Sequence, residues 1–130
     1  MSPATPSEIR KDLSAHTTSF LGVWATPAIL AAAISVAPGP PWVSAAAWSI
    51  AFSWMGGACL INARRCGRLH CYFAGPIFLA SAALAGLIAL HVVVVGARML
   101  VNIVSATLVL SCLTYLLERV WGKYLSSAPP

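Results

Sequence analysis

A chain of 130 residues has room for about one domain, so a single packed unit must account for what it does. Hydrophobic residues make up 59% of it and charged residues only 8%, with a mean hydropathy of +0.83, whereas soluble domains carry roughly 25% charge; so few charges cannot dress a water-exposed surface. The net charge of +5 does not point to nucleic acid, because the eight Lys and Arg residues stand between or beside apolar runs instead of covering one solvated face, and the partner they imply is a lipid bilayer.

The chain opens on a polar, proline-rich stretch. Thr5 and Glu8 fit a capping box with Pro6 at the first helical position, and Ile9 and Leu13 share a helical face, which predicts a short surface-lying helix within an N-terminal segment of residues 1–17. The first span is expected over residues 18–37, with Pro27 as an internal kink. The long, partly acidic prelude and Pro38 directly after Ser35-Val36-Ala37 argue against a cleaved leader, so this span is expected to stay in the mature protein. The uncharged turn Ala37-Pro38-Gly39-Pro40-Pro41 leads to Trp42 at an interfacial position and to a second span over residues 42–62. Along it Ala45, Ser49, Ser53 and Gly57 form a stripe of small side chains, the pattern that lets membrane helices approach closely, in this chain, in a homo-oligomer or with a membrane partner.

Asn62 to Ala74 reads as the one long polar connection, and Gly75-Pro76 as the start of a third span over residues 75–95. Ser81, Ala85 and Ala89 form a second small-residue stripe there, with Ala82 and Gly86 beside it. A tight turn at Gly96-Ala97-Arg98 precedes a fourth span over residues 99–117, whose far interface is marked by Tyr115, Trp121 and Tyr124; residues 126–130 are expected to be a disordered tail. Each span has about the 20 apolar residues that cross a hydrocarbon core of about 30 Å. The prediction is therefore an all-α integral membrane four-helix bundle within residues 18–125. Arg10, Lys11, Arg64, Arg65, Arg68, Arg119 and Lys123 fall on one side and Arg98 alone on the other, so the positive-inside rule puts both termini and the polar connection in the cytoplasm.

Candidate chemistry concentrates in that connection. Cys66 and Cys71 with His70 could offer two thiolates and an imidazole to one ion, and soft ligands of this kind select Cu(I), Zn(II) or Hg(II). Arg64, Arg65 and Arg68 favour the thiolate form, and Cys59, about two helical turns before Cys66, is a further ligand or relay point. Competing readings stay open: inert thiols, with Cys59 and Cys112 as small packing residues, or a thiol–quinone relay, which the reducing cytoplasm and the lack of a second loop pair disfavour. The three arginines fix topology and bind lipid headgroups, or else bind an anionic ligand with the start of the third helix. His91 is a proton or metal candidate near the outer end of the third span, His16 an interfacial residue, and Asn62 and Asn102 are expected to cap or bridge helices. The acidic residues Glu8, Asp12 and Glu118 all lie at helix ends, no nucleophile, base and orienting group share a known spacing, and no enzymatic activity is expected.

The run Asn62-Ala63-Arg64-Arg65-Cys66-Gly67-Arg68-Leu69-His70-Cys71-Tyr72-Phe73 with Gly75-Pro76 resembles a signature of small, uncharacterised bacterial inner-membrane proteins, which implies that location. In plan the chain is also similar to mercuric-ion transport proteins, which carry cysteines in the membrane and in a cytoplasmic loop; their vicinal cysteine pair in the first span has no counterpart here. Two functional expectations follow: binding or transport of a soft metal ion through Cys66, Cys71, His70 and Cys59, or an accessory membrane subunit packing against a partner through its small-residue faces.

Overall fold

The computed structural model describes residues 12–122, so the expected surface helix around Thr5 to Glu8 and the tail from residue 126 lie outside the described residues. After a short 3-10 turn, Leu13–Ala15, four long helices follow: α1 (Thr17–Val36), α2 (Pro41–Cys66), α3 (Leu69–Ala89) and α4 (Ala97–Trp121). All four are long and apolar enough to cross a membrane. Ile29, Leu30, Ile50, Leu84, Val101 and Leu113 are exposed, as a lipid-facing surface requires.

Pro27 acts as expected on α1, but through a specific geometry. Having no N–H, and with its ring crowding the carbonyl four residues back at Val23, it is preceded by a π-helical turn, Leu21–Ala25. The Thr26 hydroxyl donates to the Leu21 carbonyl at 2.9 Å across the widened turn.

The long polar connection expected over Asn62 to Ala74 is almost entirely helical. α2 continues through Cys66, Gly67 adopts a left-handed conformation with φ 67°, and α3 begins at Leu69, so the connection shrinks to Gly67 and Arg68. Arg64 and Arg65 do not break a helix; they sit at the C-terminal end of its dipole, where cations are favoured, and glycine then takes the cap that an L side chain would resist. Pro76 does not start α3 but lies inside it, which membrane helices tolerate when their neighbours are packed.

At its other end α3 stops at Ala89, short of the expected Val95. His91 adopts φ 58°, and the amides of Leu90, Val92 and Val93 fold back onto the Gly86 and Leu87 carbonyls, so residues 90–96 form a turn instead of helix.

α2 and α3 form the central hairpin, α1 packs on α2, and α4 packs mainly on α3, while α1 and α4 hardly touch. The rings of Trp48, Phe52 and Phe78 run through the centre, with centroids 5.1 and 5.8 Å apart. Lipid is as apolar as leucine, so this bundle is held by close packing and interhelical hydrogen bonds. Trp48 Nε1 donates to Ser35 Oγ between α2 and α1 (3.0 Å), Ser49 Oγ donates to the Ala82 carbonyl between α2 and α3 (2.9 Å), and Ser81 Oγ donates to Thr107 Oγ1 between α3 and α4 (2.6 Å), the Thr107 proton going to the Ile103 carbonyl.

The small-residue stripe of α2 is only partly used inside the chain. Ala45 is buried and Ser49 bonds α3, but Ser53 is exposed and Gly57 faces open space. The tight approach lies one residue earlier, at Gly56, where an added Cβ would stand 2.9 Å from Leu79 Cγ and 3.1 Å from the Gly75 carbonyl oxygen.

Candidate functional site

At 26 residues α2 is about 39 Å long, more than a hydrocarbon core of about 30 Å needs. At its last turns, Ile61 to Cys66, ends of the helices meet in a polar cluster. Its members come from the cap of the 3-10 turn before α1 (Asp12), the end of α2 (Asn62, Cys66), the Gly67-Arg68 turn, the start of α3 (His70, Cys71) and the end of α4 (Tyr115, Glu118). One cluster containing both the beginning of the first helix and the end of the last fixes an up-down arrangement with residues 12 and 122 at the same end.

Arg68 is the hub. Its guanidinium pairs with Asp12 Oδ2 and reaches both Glu118 oxygens, with Nε at 3.1 Å from Oε1. Burial alone would raise the Asp12 carboxyl, but hydrogen bonds from Ser14 and Asn62 and the Arg68 guanidinium outweigh it and hold the group well below the usual carboxylate range. Burial would likewise lower Arg68, and the Glu118 and Asp12 carboxylates reverse this and hold it above its ordinary value.

Asn62 is completely buried and uses every hydrogen-bonding atom of its amide. Its oxygen accepts the Leu13 amide (2.9 Å), and its nitrogen donates to Asp12 Oδ1 (2.9 Å) and to Cys71 Sγ (3.5 Å). The expectation that Asn62 bridges helices matches this geometry. Asp12 also caps the following 3-10 turn by accepting from the amide and hydroxyl of Ser14.

The thiols divide into two kinds. Cys66 donates to the Asn62 carbonyl one turn back on its own helix, at 3.0 Å. Cys71 instead lies beside His70 Nε2 (3.3 Å) and neighbours Cys59 across the hairpin, and the Cys59 thiol accepts from Trp24 Nε1 at 3.2 Å. His70 Nδ1 in turn stands 2.5 Å from Glu118 Oε1, and the His70 ring stacks on Tyr115 with centroids 4.1 Å apart. A carboxylate at Nδ1 favours the tautomer with its proton there, which leaves Nε2 free to accept the Cys71 proton. Glu118, His70 and Cys71 thus form a hydrogen-bonded line from carboxylate through imidazole to thiol.

The structure therefore brings Cys59, His70 and Cys71 together and leaves Cys66 bonded elsewhere. Among the described residues no group of three or more His, Cys, Asp and Glu side chains is arranged to hold a metal ion. Of the arginines expected to meet headgroups or an anion, Arg64 and Arg65 are exposed, whereas Arg68 is drawn inward by the two carboxylates. His91 and His16 are exposed and stand outside the cluster. Sequence reasoning missed the roles of Asp12, Glu118, Trp24 and Tyr115. A signal for the first two was present: two of the three acidic residues flank spans on the same side as Arg68, and charge at the edge of a membrane must find a partner.

No protein-family model, curated protein or solved structure matches this chain.

Proposed function

We propose that this protein binds a soft metal ion between Cys59 and Cys71, at the cytoplasmic face of a bacterial inner membrane. The observation that carries the reading is the burial of these two neighbouring thiols on facing helices of the α2–α3 hairpin, with His70 beside Cys71 and oriented by Glu118. Thiolates select soft ions, and a pair without further protein ligands suits the low coordination numbers of Cu(I) and Hg(II) better than the four-coordinate sites preferred by Zn(II). Capture requires both thiols to lose protons, and His70 is placed to accept one of them. The concentration of Lys and Arg on the side of the cluster supports the cytoplasmic placement.

The test is stoichiometric loading of reduced, reconstituted protein with Cu(I) or Hg(II), followed by metal analysis after gel filtration. Wild-type protein and the Cys66→Ser and Cys112→Ser variants should retain one ion per chain, and Cys59→Ser or Cys71→Ser should lose it. Equal loading of wild type and the Cys59→Ser, Cys71→Ser double variant would refute the site.

A second reading, an accessory subunit that packs against a partner, draws support from the outward half of the α2 stripe, where Ser53 is exposed and Gly57 has open space before it. Gly57→Leu would then disrupt copurification of a partner in mild detergent while loss of both Cys59 and Cys71 leaves it intact.

A further inference from the structure

A groove of about 370 Å³ runs between α1 and α2, with no residue of α3 or α4 in its walls. Leu30 and Ile34 of α1 and Ala47, Ile50 and Trp54 of α2 line it, and its one side-chain hydroxyl, that of Thr26, is spent on the Leu21 carbonyl. The groove therefore offers hydrocarbon contact and no free side-chain donor.

Its α2 wall belongs to a longer outward stripe. At 3.6 residues per turn Ile50, Trp54, Gly57, Ile61, Arg64 and Arg65 fall within an arc of about 100°. Ile50, Trp54 and Ile61 are 71%, 62% and 56% exposed, and Gly57 has open space before it. Arg64 and Arg65 are exposed and have no hydrogen-bond or ion-pair partner among the described residues. The stripe thus joins an apolar slot to two unneutralised cations. At 1.5 Å per residue Trp54 and Arg64 stand about 15 Å apart along the helix, the depth of one leaflet in a hydrocarbon core of about 30 Å.

A second copy does not suit this face. Copies in one bilayer share an orientation, so a cyclic contact through the stripe sets four arginines against one another at one level, and Asp12 and Glu118 are already held by Arg68. A soluble anion would pair with the arginines and leave the slot empty. From these observations we infer that the stripe holds one anionic phospholipid of the leaflet on the side of the polar cluster, its phosphate between Arg64 and Arg65 and one acyl chain running past Ile61 and Gly57 to Trp54 and the groove. Guanidinium forks bind phosphate oxygens through paired hydrogen bonds. A zwitterionic head carries its own cation beside the phosphate and gains less from them, whereas the glycerol head of phosphatidylglycerol carries none. The inference does not rest on the thiol site, none of whose residues lines the groove or shares the stripe, and it competes with the partner reading for the Gly57 face.

The test is native mass spectrometry of the full chain, delipidated in mild detergent and offered dioleoyl phosphatidylglycerol and dioleoyl phosphatidylcholine together. Wild-type protein should retain one phosphatidylglycerol per chain in preference to phosphatidylcholine. Arg64→Gln and Arg65→Gln should each lower that preference about fivefold, the worth of one cation at an anionic lipid surface, and together roughly 25-fold. Both side chains are exposed, so the unfolding midpoint should stay that of wild type, and Arg64→Lys with Arg65→Lys, which keeps the charges, should restore part of the preference. Ala47→Phe, which fills the groove, should weaken retention of both lipids and leave the preference intact. Phosphatidylglycerol brominated at mid-chain should quench the fluorescence of wild type more than that of Trp54→Phe. Equal retention of the two lipids by wild type, an unchanged preference in the double Gln variant, equal quenching of wild type and Trp54→Phe, displacement of the lipid by inorganic phosphate, or a second protein chain released from this face in place of lipid would each overturn the inference. Metal loading of the double Gln variant should equal that of wild type, so failure here is distinguishable from failure of the thiol site.

Discussion

Replacing Arg68 by methionine removes the cation that Asp12 and Glu118 share while keeping most of the side chain's volume. Which energetic regime applies is decided by burial: the three side chains are 12%, 0% and 6% exposed, far from the solvated ion pairs worth about 0–1 kcal/mol. Breaking a buried pair by deleting one partner costs about 3–5 kcal/mol, because carboxylates are left in a medium that solvates them poorly. At 1.4 kcal/mol per tenfold, an intermediate loss of about 4 kcal/mol shifts the folding equilibrium roughly a thousandfold. Arg68→Lys keeps the charge but cannot fork between two carboxylates, and should lose about 1.5–3 kcal/mol, the worth of one charge-assisted hydrogen bond. The assay is unfolding in mixed mild-detergent and dodecyl sulfate micelles, followed by tryptophan fluorescence. Combining Asp12→Asn, Arg68→Met and Glu118→Gln should recover most of the loss, since a whole buried ionic group can be exchanged for neutral side chains at little cost. If Arg68→Met unfolds within about 1 kcal/mol of wild type, the cluster is as weak as a surface ion pair and the reasoning fails.

The adjacent glycines of α2 should behave oppositely. Gly56→Ala meets Leu79 and the immovable Gly75 carbonyl and should destabilise by about 1–3 kcal/mol, whereas Gly57→Ala enters open space and should be neutral or gain up to about 1 kcal/mol in helix propensity, both read by the same unfolding assay. The acid side of the stability profile should report Asp12. Its folded-state value lies below the ordinary 3.8, so its contribution is complete above that value and drains away as the pH falls through and below it. Between pH 5 and 3 the unfolding midpoint of wild type should therefore fall more steeply than that of Asp12→Asn, and parallel slopes would show that Asp12 contributes nothing to the dependence. Removing Trp24 by Trp24→Phe withdraws from Cys59 the indole N–H that favours its thiolate but keeps an aromatic wall, so reaction with a membrane-permeant maleimide should slow at Cys59 and not at Cys66; unchanged labelling at Cys59 would show that the indole does not activate it.

The four helices were legible because each apolar run has the length of a bilayer and the interruptions between runs carry the prolines and charges. Their ends were less so. The run Asn62 to Ala74 is polar enough to read as loop, yet polarity is not a helix breaker, and only Gly67 has the conformational freedom to turn the chain. The Val92–Val95 run is apolar enough to read as span, yet the turn at His91 removes it from the helix. For the site, the sequence singled out Cys59, His70 and Cys71 by residue type, but grouped them with Cys66 by proximity along the chain. The pairing that the fold makes, Cys59 with Cys71, crosses the interface of two antiparallel helices, and a spacing of twelve positions carries no motif. The Asp12–Arg68–Glu118 group was less legible still, because it joins positions about 50 residues apart whose connection exists only once the bundle has closed.

That closure spans the chain order: Arg68 sits in the α2–α3 turn, Asp12 precedes it before α1, and Glu118 follows it near the end of α4. Until α4 has inserted, the turn holds one carboxylate where the finished protein has two, and the first turn of α3 lacks the acceptor that the His70 amide meets at 3.4 Å. The ion cluster thus makes the α2–α3 turn depend on both ends of the described chain: Arg68 is neutralised in full only where Asp12 and the end of α4 come together.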